Sequence, residues 1–210
     1  AEALPAPEGI VRFAEQAEQR GTADAVASAL PALEGIEADT VLILCGDVPG
    51  TSVAAIEALL QARAEGADLA VLTFEPDDAE GYGRMVRGDD GAPLRIVEHA
   101  DASEDEREIE ECNAGIYAID RSLLQSGLAR VEADNAQGEF YLTDLVAMAE
   151  RPDAIVVDET EVRGVNDRLD LAEANADYRY RRNLSLLLGG VTLLDPHTTY
   201  VDDLAEVEAD

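Results

Sequence analysis

Val41-Leu42-Ile43-Leu44-Cys45 is an apolar run with no polar break, and it stops at Gly46-Asp47-Val48-Pro49. Such a run reads as a strand buried on both faces. Gly46 ends it, Pro49 cannot extend a central strand, and a helical pattern begins at about Thr51. The stretch is therefore strand, acid-bearing turn, helix. In open α/β sheets, ligands gather at the carboxyl ends of strands. A carboxylate placed there, Asp47, can hold a hard cation such as Mg²⁺. It can equally be a turn aspartate that bonds its own backbone, and this stretch alone leaves both readings open.

A chain of 210 residues, 47% of them hydrophobic, can bury one large α/β core, or one domain plus a fragment of another. No apolar run reaches the length of a transmembrane helix, and the N-terminus has no basic region followed by an apolar core. The expected location is the cytoplasm. There is no initial methionine, and the chain opens as if in mid-domain, so the expectation is that the start of the natural protein is missing. The net charge is −31, and all 15 basic residues are arginine. A surface of that sign repels nucleic acid and anionic membrane, so neither is expected as a partner. Strong acidity without lysine suggests adaptation to high salt, where screening shortens self-repulsion to about 3 Å at 1 M; an acidic bias in a high-GC genome reads the same way. Cys45 and Cys112 both lie in apolar runs and read as inert core thiols in a reducing compartment. Two Cys and two His, far apart, give no disulfide or zinc pattern.

In chain order, residues 1–9 read as loop and Ile10 to Ala14 as a short strand. Thr22 can N-cap a helix from Ala23 to Leu30. Gly21 and Thr22 then form a polar loop at a helix start, which suits an anion or a base edge as well as plain capping. Ser52 to Ala64 places Val53, Ile56, Leu59 and Leu60 on one helical face. Asp68 to Phe74 is the next strand, and this βαβ unit predicts a parallel pair with a right-handed crossover. Gly81-Tyr82-Gly83-Arg84 is a tight turn. A hairpin over Met85–Arg87 and Leu94–Glu98 follows, around Gly-Asp-Asp-Gly. Glu98 ends its strand; it is either solvated or free to bind a sugar hydroxyl. Residues 101–111 read as a charged helical segment. Cys112 to Ile119 is a strand, and Asn113 can both donate and accept toward a sugar. Asp120 caps a helix through Val131. Residues 135–144 form a loop into a helix at Leu145, with Thr143 near its start. Ala154 to Val157 is a short strand. Residues 161–167 turn into a long helix, 168–188, striped by Leu169, Leu171, Ala172 and Ala176. Gly190 to Pro196 reads as strand then turn. Val201 and Val207, six apart, give one weak hexapeptide cue for a β-helix.

Taken in order, these segments resemble the bacterial bifunctional N-acetylglucosamine-1-phosphate uridyltransferases, which also acetylate glucosamine-1-phosphate. The likeness is carried by Gln16 with Gln19-Arg20-Gly21-Thr22, by Gly46-Asp47-Val48-Pro49, by Gly81-Tyr82-Gly83-Arg84 and by Ile96-Val97-Glu98-His99. It continues through Asn113-Ala114-Gly115, Gln137-Gly138-Glu139-Phe140-Tyr141-Leu142-Thr143-Asp144, Gly164-Val165-Asn166-Asp167 and Gly190-Val191-Thr192-Leu193-Leu194-Asp195-Pro196.

The resemblance implies an α/β, Rossmann-like nucleotidyltransferase: a mixed, mostly parallel sheet with helices on both faces, then a linker helix and the first strand of a left-handed β-helix. It implies a uridyltransferase domain over 1–168, a linker helix over 169–189 and the start of an acetyltransferase domain over 190–210. It implies Mg²⁺ bound by Asp47 and Asn166, which would also be the catalytic pair, and UTP, N-acetylglucosamine-1-phosphate and UDP-N-acetylglucosamine as ligands. Gln16, Gly21 and Thr22 would hold the uracil. Cys45, Gly46 and Asp47 would lie along the nucleotide. Gly83, Glu98 and Asn113 would line the sugar pocket, with Tyr141 and Thr143 around the acetamido group and sugar phosphate. Acetyl-CoA would concern only a further C-terminal domain, and a homotrimer would follow from that domain. The family's opening strand, Gly-rich phosphate loop and phosphate-binding lysine have no counterpart here, so the chain by itself is expected to be incomplete for catalysis. The alternatives are an enzyme for another sugar nucleotide and a non-catalytic sugar-nucleotide binding module.

Overall fold

The computed structural model describes residues 11–202 and 204–210; the loop expected over residues 1–9, and Ile10, lie outside them. The elements are α1 (Thr22–Ala29), a 3-10 turn (Leu30–Leu33), β1 (Thr40–Ile43), α2 (Val53–Ala64), β2 (Leu69–Phe74), β3 (Arg84–Arg87), β4 (Pro93–Val97) and α3 (Glu104–Arg107). They continue with β5 (Cys112–Asp120), α4 (Arg121–Leu128), α5 (Asp144–Met148), β6 (Pro152–Val156), α6 (Glu159–Val162) and α7 (Arg168–Leu188).

The strands form one six-stranded sheet in the order β4-β3-β5-β2-β6, with β1 also paired to β5. The long strand β5 is its axis. β2 runs along one edge of it, with Leu69 opposite Ile119 and Phe74 opposite Cys112. The other edge takes β3 at Cys112 and β1 at Tyr117 to Asp120. β1, β2, β3 and β6 therefore run one way, and β4 and β5 the other. The sheet is mixed, as expected, but the expectation of mostly parallel pairing needs correction. Among the described residues β2–β6 is the one parallel pair. β1 and β2 do run parallel, as a βαβ unit requires, yet antiparallel β5 sits between them.

Alternation along β2 and β5 builds two cores, one on each face of the sheet. Leu69, Val71, Tyr117 and Ile119 meet Leu124 of α4 and Leu145 and Val146 of α5. Ala70, Leu72, Phe74, Ile116 and Ala118 meet Ala55, Leu59 and Ala62 of α2. Each large aliphatic side chain fully buried in this way contributes about 1.5–3 kcal/mol. Helices thus cover both faces, and the strand ends are left to the loops.

Several local expectations change. β1 is half-buried and Leu44 is 51% exposed, because β1 lies at a sheet margin and not in the middle. Val11 to Ala14 form no strand. The buried face of α2 is Ala55, Leu59 and Ala62, while Val53 and Leu60 are exposed. Small alanines let that helix sit close to the sheet, and the bulkier residues turn outward. The charged segment after β4 is a single helical turn, α3. Glu161, expected in a turn, lies in α6. On α7 the anticipated stripe is mostly outward, with Leu169 and Leu171 exposed; Asn183 and Leu186 are its buried residues. The described residues from 190 onward contain no strand. A β-helix rung is held by the rungs stacked on it, so one rung has no ladder to join.

Candidate active site

Loops at one end of the sheet carry the residues singled out from the sequence, and a run of direct contacts joins them. At one end, Gln16 Nε2 donates to the Gly21 carbonyl at 3.2 Å and to Asp24 Oδ2 at 2.9 Å. Gly21 has φ +114°, and a Cβ there would stand 2.5 Å from the Phe140 carbonyl oxygen. Only glycine tolerates both. That approach is used: Phe140 N–H donates to the Arg20 carbonyl at 2.8 Å, and Ala23 N–H to the Phe140 carbonyl at 2.9 Å.

Thr22 was expected to cap α1. The cap position is Gly21, with no side-chain cap bond. Thr22 Oγ1 instead accepts the Leu142 N–H at 2.9 Å, so the base-side loop and the 135–142 loop are tied together. Thr143 precedes α5 without capping it. Its hydroxyl donates to Glu98 Oε1 at 2.8 Å. Tyr141 is buried and donates to Gln137 Oε1 at 2.7 Å.

Glu98, just past β4, faces Gly83: a Cβ on that glycine would lie 3.1 Å from Glu98 Oε2. The Gly83 carbonyl accepts the Asn113 N–H at 2.8 Å. Asn113 Oδ1 accepts from Gly115 N–H and from Tyr117 Oη, both at 3.0 Å. Among the described residues no hydrogen bond engages its amide N–H₂. Cys45 Sγ donates to the Gly115 carbonyl at 3.3 Å. Cys45 is thus half-buried beside the site and not in the core, while Cys112 is buried; both are free thiols.

Gly46 and Asp47 form an exposed turn after β1. The Asp47 carbonyl accepts Val165 N–H at 2.8 Å, which brings in the turn before α7. A Cβ on Gly164 would lie 3.8 Å from both Asp47 Oδ2 and Asn166 Nδ2. Residues far apart in sequence are thereby gathered on one rim. Sequence reasoning missed Asp24, Asp101 and Asp170, which hold that rim from behind. Asp101 accepts Ala136 N–H at 2.8 Å and so anchors the 135–142 loop. No local pattern distinguishes such acids in a chain this rich in them.

Burial sets the ionisation of this wall. It pushes the Glu98 carboxyl up, against the Thr143 bond, with Asp101, Asp144 and Glu139 adding repulsion. It pushes the Cys45 thiol up as well, with Asp47 adding to the effect. It drives Tyr141 up to about 12. Glu98, Asp101, Tyr141 and Asp144 line a cavity of about 450 Å³.

A family model described as Nucleotidyl transferase matches residues 8–159. The chain belongs to the nucleotidyl transferase family. It is 48% identical over 206 residues to a Geobacter metallireducens protein named Bifunctional protein GlmU, covering 95% of this chain and 43% of that one. Proteins of the same name from Brevibacillus brevis and Corynebacterium efficiens are 47% and 43% identical, with 95% and 91% of this chain covered and 44% and 40% of theirs. The chain thus spans less than half the length of the curated relatives it matches.

The wall's own charged site residues, Asp47 and Glu98, are acidic, so phosphates set against it would call for a cation between them. The donor set fits a hard divalent cation. Among the described residues no hydrogen bond or ion pair engages the Asp47 carboxylate. Asn166 gives its backbone and side-chain N–H groups to Asp170, which lowers the Asp170 pKa. Among the described residues the Asn166 side-chain carbonyl oxygen, a hard donor, has no hydrogen-bond partner, and the Asn166 amide and the Asp47 carboxylate both stand against Gly164. Among the described residues no group of three or more His, Cys, Asp or Glu is gathered to hold a metal. A site of one carboxylate and one amide would therefore need ligand oxygens to complete it.

Proposed function

We propose that the protein transfers uridylate from UTP to N-acetylglucosamine-1-phosphate, giving UDP-N-acetylglucosamine and pyrophosphate. The observation that carries this reading is the continuous rim from Gln16 and Thr22, through Thr143, Glu98, Gly83 and Asn113, to Asp47 and Asn166. It offers a polar loop for the base, hydroxyl-binding groups for the sugar, and a carboxylate and an amide that could hold a cation against the phosphates joining them. A phosphate oxygen of the sugar phosphate attacks the α-phosphorus of UTP. The bond to the β-phosphate oxygen breaks, and pyrophosphate leaves with that electron pair. No side chain need form a covalent intermediate; the wall aligns the reactants. Mg²⁺, when bound, supplies positive charge to the phosphates. Asp47 and Asn166 would hold it, Glu98 and Asn113 would orient the sugar hydroxyls, and Tyr141 and Thr143 would border the acetamido group.

The same reading places a uridyltransferase domain over 1–168, a linker helix over 169–189 and the start of an acetyl-CoA-using domain over 190–210. It places the protein in the cytoplasm of a salt-adapted cell, as a homotrimer that supplies cell-wall precursor. No described helix is long and apolar enough to cross a membrane, and the names of the relatives state two functions.

The test uses protein expressed from the complete coding sequence. UDP-N-acetylglucosamine is expected to bind more tightly than UDP-glucose by calorimetry, and equal affinity would sink the N-acetyl assignment. Asp47→Ala is expected to abolish Mg²⁺-dependent pyrophosphate release while leaving the circular dichroism spectrum unchanged. Retained turnover would remove Asp47 from the metal site.

A further inference from the structure

Gln16 carries an amide that can face a ligand in two ways, and its surroundings allow one. Both near neighbours of its terminal nitrogen are pure acceptors: the Gly21 carbonyl at 3.2 Å and the Asp24 carboxylate at 2.9 Å. An ionised carboxylate and a carbonyl accept hydrogen bonds and cannot donate them. The nitrogen must therefore point inward, and a flipped amide would set oxygen against two oxygens. Asp24 is itself held, because Arg20 Nη2 bonds its other oxygen at 2.6 Å. Arg20 in turn lies over the Phe140 ring at 5.6 Å, on the loop that Gly21 and Thr22 anchor. Among the described residues the Gln16 carbonyl oxygen has no partner. It stands half-exposed as an acceptor.

We infer that Asp24 is a positioning residue for base selection: by fixing the Gln16 amide, it presents a hydrogen-bond acceptor to the nucleobase and so selects uracil over cytosine. The inference rests on the reading of Gln16 as a uracil contact. A uracil edge carries an N3–H donor between two carbonyl oxygens. A cytosine edge carries an acceptor at N3 and a donor at its amino group. A fixed acceptor matches the uracil N3–H and opposes the cytosine N3. A freely turning glutamine would serve either base, since it could offer its N–H₂ to the cytosine N3. Base identity would then depend on a residue that touches no ligand. A site built to satisfy one hydrogen-bond pattern rejects its inverse because buried polar groups are left unpaired.

The experiment is calorimetric titration of the complete protein with UDP and with CDP, which differ only in the base. The unaltered protein is expected to prefer UDP. Asp24→Ala is expected to narrow that preference roughly tenfold, about 1.4 kcal/mol, chiefly by improving CDP binding. Asp24→Glu keeps two acceptor oxygens, one for Arg20 and one for Gln16, and is expected to hold the preference within about twofold, the resolution at which additivity is judged. A residue with only a structural role would weaken both nucleotides together and leave their ratio alone. Should the alanine protein be unstable, Asp24→Ser, too short to reach Gln16, repeats the measurement. An unchanged ratio in the alanine or serine protein overturns the inference and leaves the uracil contact standing. Equal affinity of the unaltered protein for UDP and CDP overturns both.

Discussion

Thr143 Oγ1 donates to Glu98 Oε1 at 2.8 Å, across 45 residues of chain, and it is the sole bond among the causes of the Glu98 shift that works against burial. Burial and the neighbouring acids hold the Glu98 pKa above its ordinary 4.5. The folded state therefore binds that proton more tightly than the unfolded chain does. The stability tied to this group is fully present below pH 4.5 and is lost as pH rises through the raised value. Glu98→Gln keeps the Thr143 acceptor and removes the charge. It is expected to raise the melting temperature at pH 8 by roughly 2–4 °C, the effect of ~1 kcal/mol in a domain this size. The gain should fade toward pH 4.5. Calorimetric melts across pH check this, and a gain that grows on acidification would reverse the argument. Sugar-phosphate affinity should fall in the same variant.

Gly21 and Thr22 hold the 135–142 loop by different means, and the difference is measurable. Gly21→Ala would force a side chain to φ +114°, against the Phe140 backbone. A loss of about 1–3 kcal/mol is expected from the strain alone. Thr22→Val leaves the buried Leu142 N–H without its acceptor, at about 1–3 kcal/mol, while Thr22→Ser keeps the bond. Amide hydrogen exchange at Leu142 should quicken in the valine variant and not in the serine one.

Helix α7 and the turn before it hold both ends of the Asp47 turn. Val165 N–H bonds the Asp47 carbonyl, and Arg181 Nη1 donates to the Gly50 carbonyl, each at 2.8 Å. Between them lies a cavity of about 240 Å³, so side-chain packing does not fix the spacing there. If Asp47 and Asn166 hold the metal, Arg181→Ala should weaken divalent binding roughly tenfold, the scale for groups that orient metal ligands. Arg181→Lys should keep most of it. Mn²⁺ titration followed by electron paramagnetic resonance, with UDP-N-acetylglucosamine present, reads this directly. Affinity unchanged in Arg181→Ala but lost in Asp47→Ala would leave Arg181 with a structural role alone.

A net charge of −31 with arginine as the sole fixed cation makes self-repulsion a general destabilising force. Raising KCl from about 0.1 M to about 2 M shortens the screening length from roughly 10 Å to below 3 Å. The melting temperature should rise with it, by roughly 2–4 °C per kcal/mol of repulsion removed. A melting temperature indifferent to KCl would refute salt adaptation.

What could be read from the sequence was local. The apolar runs of β2 and β5, the Asp120 cap, the Ser52 start of α2 and the full span of α7 all follow from period, capping and turn chemistry within a few residues. The residues proposed for the site were named from the order of short motifs. Chain order alone did not say how they meet. That β5 separates β1 from β2, that Thr22 serves Leu142 instead of its own helix, and that Asp24 orients Gln16 were decided by the tertiary structure. The reason is physical. Periodicity and caps are set by neighbours along the chain, whereas a strand's partner and a side chain's hydrogen bond depend on what folding brings within 3 Å, here from as far as 131 residues away.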